Sequence, residues 1–204
     1  MGGVEQRFSF DEVAAEYAAA RPAYPALLFD DLARHAGLRA GSRVLELGCG
    51  PGTATVGLLG RGLQLVCLEP GPRLAAHARA RAAGTATTVV EQTFEDYALP
   101  TEPFDLVFAA QSFHWIDHGM RFHKAAAALR AGGMLALFAH CWLRSSDGLR
   151  ERFDACYAEH APSLELGADQ RARLLAAIGR AIDDAGGVIV VDDEVGFCCG
   201  TRKR

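Results

Sequence analysis

The sequence predicts an α/β protein built on a doubly wound, mostly parallel sheet with helices on both faces. Two observations carry that expectation. From Val44 to His140, short apolar runs alternate with stretches of helical periodicity, the lengths expected of parallel strands joined by crossover helices. The first run, Val44-Leu45-Glu46-Leu47, is too short for a helix and breaks into Gly48-Cys49-Gly50-Pro51-Gly52-Thr53. That is a buried strand, a tight glycine turn and a helix start, a unit that presents backbone N–H groups to a nucleotide-like ligand.

In chain order, Phe10–Ala20 is expected to be helical, with Asp11 as cap and Val13, Tyr17 and Ala20 on one face, stopped by Arg21-Pro22. A second helix, about Tyr24–Ala36, gathers Tyr24, Leu27, Leu28, Leu32 and Ala36 on one side and ends at Gly37. After the glycine turn, Thr53–Leu59 is predicted as a helix capped by Thr53 and closed by Gly60 and Gly62. Leu63–Leu68 is a second buried strand running into Glu69-Pro70-Gly71, and Pro70 starts a helix to about Ala82. Thr87–Glu91 is a third strand and Phe104–Ala110 a fourth. Arg121–Arg130 reads as an amphipathic helix, Gly132-Gly133 as a turn, and Met134–His140 as a fifth, apolar strand.

Beyond Ser145, Leu149–His160 and Gln170–Asp184 have helical periodicity. Gly187–Val191 and Glu194–Cys199 are short strand candidates separated by Asp192-Asp193, an antiparallel hairpin that is shortened or incomplete. Val188, Val190, Val195 and Phe197 can alternate towards a core, so the hairpin is expected to dock on the fifth strand rather than leave that strand as an exposed apolar edge. The chain thus divides into an N-terminal helical lid (1–40), a ligand-binding core (41–142), and C-terminal helices with short edge strands (143–204).

A chain of 204 residues, half of them hydrophobic and 23% charged, has the makings of one globular domain. A net charge of −4 makes no global case for binding nucleic acid or an anionic membrane. No apolar run approaches the ~20 residues that span a bilayer, and the N-terminus lacks an apolar signal core. The six cysteines show no zinc spacing, and Cys198 and Cys199 are adjacent. A reduced, cytoplasmic enzyme is expected, its oligomeric state unspecified.

The glycines spell Gly-x-Gly-x-Gly, not the dinucleotide fingerprint Gly-x-Gly-x-x-Gly. Glu46, two residues before the first of them, would repel a pyrophosphate and attract an ammonium group. A ligand with a cationic end fits the amino-acid half of S-adenosylmethionine. With these residues the chain resembles class I S-adenosylmethionine-dependent methyltransferases from about Phe10 to Trp142, and Phe104-Asp105-Leu106-Val107-Phe108 matches that family's fourth strand.

The resemblance implies a Rossmann-like fold and assigns cofactor contacts to Glu46, Gly48, Gly50 and Gly52. Glu69 lies 21 residues after Gly48, where a parallel sheet delivers an acid to a ribose diol, with Pro70 beside it. Thr93 and Phe94 fall in the loop that meets adenine in the family, although many relatives have Asp where Thr93 stands. Tyr17 and Arg21 match the family's lid: Tyr17 near the sulfonium and Arg21 at the cofactor carboxylate, or else a core ring and a surface cap. Gln111, at the end of the fourth strand, completes the cofactor set.

Gln111-Ser112-Phe113-His114-Trp115-Ile116-Asp117-His118 leaves the carboxyl end of the fourth strand and faces the reaction space. Methyl transfer from a sulfonium is an in-line displacement that needs no metal. His114, Asp117 and His118 are the candidate bases, His114 and Asp117 foremost, and Trp115 is a wall of the pocket for a small-molecule acceptor. Alternatively His114 and Trp115 pack under the cofactor while Asp117 and His118 cap the next helix. Two readings from other classes stay open: a methyltransferase-like domain that binds without turnover, and a nicotinamide-dependent reductase, against which the glycine spacing and Glu46 count.

Overall fold

A computed structural model describes residues 10–145 and 191–203, with single helical positions between 152 and 184. The helices expected over Leu149–His160 and Gln170–Asp184 are represented only by such positions, and residues 187–190 lie outside the described residues. Two compact units are present, Met1–Ala139 with Gly196–Arg204, and His140–Val195. All of the site described below belongs to the first.

The strands are β1 (Arg43–Leu47), β2 (Gln64–Leu68), β3 (Thr87–Val90), β4 (Phe104–Ala110), β5 (Leu129–Ser145) and β6 (Val191–Thr201). They form one sheet in the order β3-β2-β1-β4-β5-β6. The pairs from β3 through β5 are parallel, with Glu46 in register with Cys67 on β2 and with Phe108 on β4. At the far edge Gly132 N–H donates to the Arg202 carbonyl and Arg202 N–H to the Gly133 carbonyl, both at 2.9 Å, two residues facing one as in an antiparallel β-bulge. The helices are α1 (Ala14–Ala20), α2 (Ala26–His35), α3 (Pro72–Arg81) and α4 (Arg121–Ala128).

The two-residue side-chain period of a strand divides the core between the two faces of the sheet. On one face Leu45, Leu47, Leu68, Val107 and Ala109 pack with Ala125, Ala128 and Leu129 from the α4 region. On the other, Phe108 stacks on Phe138 at 5.8 Å between ring centres, and Phe29 of α2 meets Phe138 edge-on at 6.2 Å. Full burial of each such side chain contributes about 1.5–3 kcal/mol. β1 therefore sits at the centre of the sheet, at the point where the strand order reverses, which opens a crevice above its carboxyl end.

Several local expectations are corrected. The helix beginning at Phe10 is broken at Val13, and Asp11 does not cap it. Instead Asp11 Oδ1 accepts the N–H groups of Arg73 (2.8 Å) and Leu74 (2.9 Å) at the start of α3. That helix begins at Pro72, which occupies its first turn, rather than at Pro70. Residues Thr53–Leu59 are not an α-helix: a turn leads into a single 3-10 turn, Thr55–Leu58. Glycine in mid-helix is costly, and Thr55 turns its hydroxyl down to the sheet instead of out to solvent. Likewise α4 ends at Ala128, and Gly132-Gly133 belongs to β5 as part of an irregularity: Leu129 pairs with Phe104, but Met134 already pairs with Leu106. Asp192-Asp193 lies inside the continuous β6 rather than in a turn.

Gly57 shows how tightly α2 is seated. A Cβ there would lie 2.2 Å from the Phe29 ring. Gly57→Ala should destabilise the fold by roughly 1–3 kcal/mol through overpacking, read as a lower urea midpoint. Phe29→Leu in the same background should recover part of the loss, because the two sites are in contact. An unchanged midpoint in the single variant would contradict this packing.

Candidate active site

The site is built where β1 stops. Gly48 and Gly50 take φ of +63° and +56°, conformations that glycine adopts at little cost. Gly48 is also a packing requirement, since a Cβ would meet the Ser112 Cβ at 2.7 Å. Ser112 in turn hands its hydroxyl proton to the Leu47 carbonyl and so ties the end of β4 to the end of β1.

Beneath this turn lies Glu46, 1% exposed. Its Oε2 accepts from the Thr55 hydroxyl (2.7 Å) and from the Cys67 thiol (3.4 Å), whereas Oε1 is buried with no partner. Burial pushes the carboxyl pKa up to about 7 despite the opposing hydrogen bonds from Thr55 and Cys67, and the nearby Glu69 charge adds to the rise. A buried carboxyl oxygen without a donor is uncommon and marks a place for a ligand cation or a water. The Gly-x-Gly-x-Gly turn and this orphaned oxygen together fit the amino-acid end of S-adenosylmethionine.

Glu69, 7% exposed, closes the turn from the β2 side. Its two carboxyl oxygens accept the Gly50 N–H (2.8 Å) and the Gly71 N–H (2.9 Å). Burial raises its pKa against those two backbone donors. Each oxygen retains a second lone pair with which to accept a hydroxyl. Pro70 is half-buried beside it.

The N-terminal segment meets the other wall. Arg21 donates to the side-chain oxygen of Gln111 and lies over the Tyr17 ring at 4.8 Å. Gln111 holds φ +54°, an uncommon conformation for a residue with a side chain, and its N–H donates to the Phe138 carbonyl at 2.9 Å. Phe10 bridges Tyr17 (5.1 Å) and Trp115 (6.0 Å). His114 lies tilted beside Trp115 at 4.7 Å. Desolvation holds the His114 pKa below its ordinary value, and the charges of Arg121 and Arg21 depress it further.

Two groups result: Gly50 bonded to Glu69 at the end of β1, and Arg21 joined to Gln111 and Tyr17, with Phe10 between Tyr17 and Trp115, at the end of β4. Other expected residues stand further along their loops. Thr93 exchanges hydrogen bonds with Asp96, its hydroxyl to Oδ2 at 2.7 Å and the Asp96 N–H back at 3.1 Å. Phe94 is buried in the core cluster, its ring under the Lys124 ammonium at 5.3 Å. Asp117 accepts the Gly119 N–H at 2.8 Å and precedes α4 as a turn residue. Thr55, Ser112 and Asp11 were missed by sequence reasoning. No spacing marks them, because each acts across a tertiary contact.

Residues 44–133 match the family model for a methyltransferase domain. Over these residues the chain is similar to methyltransferase domains. An uncharacterised methyltransferase of Mycobacterium tuberculosis is 35% identical over 133 residues, 65% of this chain and 52% of that protein. A trans-aconitate 2-methyltransferase of Methylobacterium nodulans is 36% identical over 110 residues, 52% of this chain and 42% of that one. The chain therefore spans about half the length of the curated relatives it matches. Among solved structures, the YcgJ protein of Bacillus subtilis superposes with a TM-score of 0.57 at 16% identity, over 86% of this chain and 98% of its own. The phosphoethanolamine N-methyltransferase 2 of Haemonchus contortus, seen with S-adenosylhomocysteine, does so at 0.55 and 14%, over 88% and 52%. At these identities the likeness is one of fold.

The buried Glu46 makes a pH signature. A carboxyl whose folded pKa is raised from 4.5 to about 7 stabilises the fold below pH 4.5 relative to higher pH, and that contribution is lost as pH rises through 7. The total is roughly 3 kcal/mol. Glu46→Gln should remove this part of the slope: between pH 5 and 8, wild type should lose stability relative to the variant in urea titrations. Parallel curves for the two proteins would mean that Glu46 ionises normally.

Proposed function

We propose that this chain transfers a methyl group from S-adenosylmethionine to a small-molecule acceptor. The observation that carries the reading is the orphaned, buried Oε1 of Glu46 under the three-glycine turn. The cofactor supplies a methyl carbon made electrophilic by its sulfonium, with a thioether as leaving group. Glu46 would receive its ammonium, Gly48, Gly50 and Gly52 its close backbone approach, and Arg21 its carboxylate. Glu69 would accept from the ribose hydroxyls through its remaining lone pairs, with Pro70 alongside. The Thr93–Phe94 loop would border the adenine, Tyr17 and Gln111 the reacting end.

His114 serves as the proton acceptor when the acceptor's attacking atom carries a proton. Its lowered pKa favours the neutral imidazole, which has a lone pair to offer. A general base contributes about 10²–10⁴-fold. Alignment of the reactants contributes more, roughly 7–11 kcal/mol in well-oriented intramolecular reactions. Trp115, with Phe10 across it, excludes water from the acceptor side. Asp117 is the weaker base candidate, since its carboxylate already holds a backbone N–H. Trans-aconitate, in the name of two relatives, is a small organic molecule, which supports an acceptor of that size.

Calorimetry tests the reading. S-adenosylhomocysteine should bind and NADH should not. Glu46→Gln should weaken binding roughly 10- to 150-fold, the worth of a charged hydrogen bond at about 1.5–3 kcal/mol. Wild-type affinity in a folded variant would remove Glu46 from the site, and binding of NADH alone would favour a reductase.

A further inference from the structure

Two guanidinium groups stand close enough to His114 to depress its protonation, Arg21 and Arg121. Neither joins an ion pair among the described residues, whereas Arg34, Arg43, Arg61, Arg79 and Arg130 are each paired with a carboxylate. Arg21 is occupied by Gln111. Arg121 is differently placed. It opens α4, directly after the turn that carries His114, and one terminal nitrogen donates to the Phe113 carbonyl at 3.3 Å. The guanidinium lies over the Phe113 and Phe122 rings at 5.2 and 5.3 Å, and its Nε is buried with no partner.

A guanidinium has five N–H donors, and a single backbone oxygen uses one. In the turn before α4, Glu95 Oε1 accepts the Asp117 N–H at 3.2 Å and Asp117 Oδ1 the Gly119 N–H at 2.8 Å, and no ion pair between Arg121 and a carboxylate is present among the described residues. A cation fixed by two rings, with a buried donor unfilled, is matched by the fork of a carboxylate, which accepts two parallel N–H bonds. A phosphate dianion would call for a second cation, and the other guanidinium near His114, Arg21, is bonded to Gln111 and is the one assigned above to the cofactor carboxylate. We propose that the methyl acceptor is a carboxylic acid whose carboxylate is received by Arg121 beside His114. The word acceptor rests on the methyl-transfer reading; the anion site itself does not.

The test titrates the protein, saturated with S-adenosylhomocysteine, with aliphatic mono-, di- and tricarboxylic acids of three to six carbons and with their primary amides. At least one acid should bind tenfold or more tightly than its amide. Arg121→Gln should abolish that preference, Arg121→Lys should keep part of it, and affinity for S-adenosylhomocysteine should stay within twofold in both. Acids and amides that bind alike, no acid that binds, tighter binding by inorganic phosphate, or a preference that survives Arg121→Gln would each overturn the proposal. If the glutamine variant does not fold, the acid-to-amide comparison on the wild type decides alone. Failure to bind S-adenosylhomocysteine would overturn the methyl-transfer reading, and the acid preference is then read on the free protein with the same criteria.

Discussion

The structure depends on a carboxyl group kept in a place where carboxylates are expensive. Glu46 stands on the central strand, with both neighbouring strands in register beside it, and its only donors are a hydroxyl and a thiol. An acid in such surroundings either takes a proton or waits for a cation. Thr55 is drawn inward to meet it, so the segment after the glycine turn tightens into a 3-10 turn instead of an α-helix. Gly57 then lets Phe29 approach, which seats α2 against the sheet. One buried acid thus shapes the turn above it and the packing behind it.

The same end of the sheet is held by contacts that cross long stretches of sequence. Ser112 binds the carbonyl of Leu47, Arg21 the amide of Gln111, and Asp11 the first N–H groups of α3. The left-handed backbone at Gln111 is part of this arrangement, a local cost retained where β4 turns into the reaction space. These ties place an aromatic group, Phe10 with Tyr17 and Trp115, beside His114. The charges that reach His114 come from Arg21 and Arg121.

Much of this was legible in the chain before folding was considered. Strand positions follow from apolar runs whose length excludes a helix, as in Val44–Leu47 and Phe104–Ala110, and the glycines at 48, 50 and 52 announce a turn that no side chain could make. Glu46 was conspicuous because an acid inside an apolar run has to be explained by something it binds. Element ends were less legible: β5 starts five residues early because a parallel partner, Phe104, captures Leu129. Asp192-Asp193 looked like a turn by composition, yet the pairing of an edge strand tolerates charged residues.

The sequence by itself determined the strands from the first to the fifth and the glycine turn with its buried acid, since each depends on local period, on glycine, or on one misplaced charge. Tertiary structure alone decided who meets whom around it. Thr55 rather than Thr53 serves the buried acid, Asp11 caps a helix some sixty residues away, and Phe94 turns into the core. Glu69 closes the glycine turn by accepting the Gly50 N–H. The reason is geometric: a hydrogen bond or ring contact needs two groups within a few ångströms, and separation along the chain carries no record of that distance until the strands have paired.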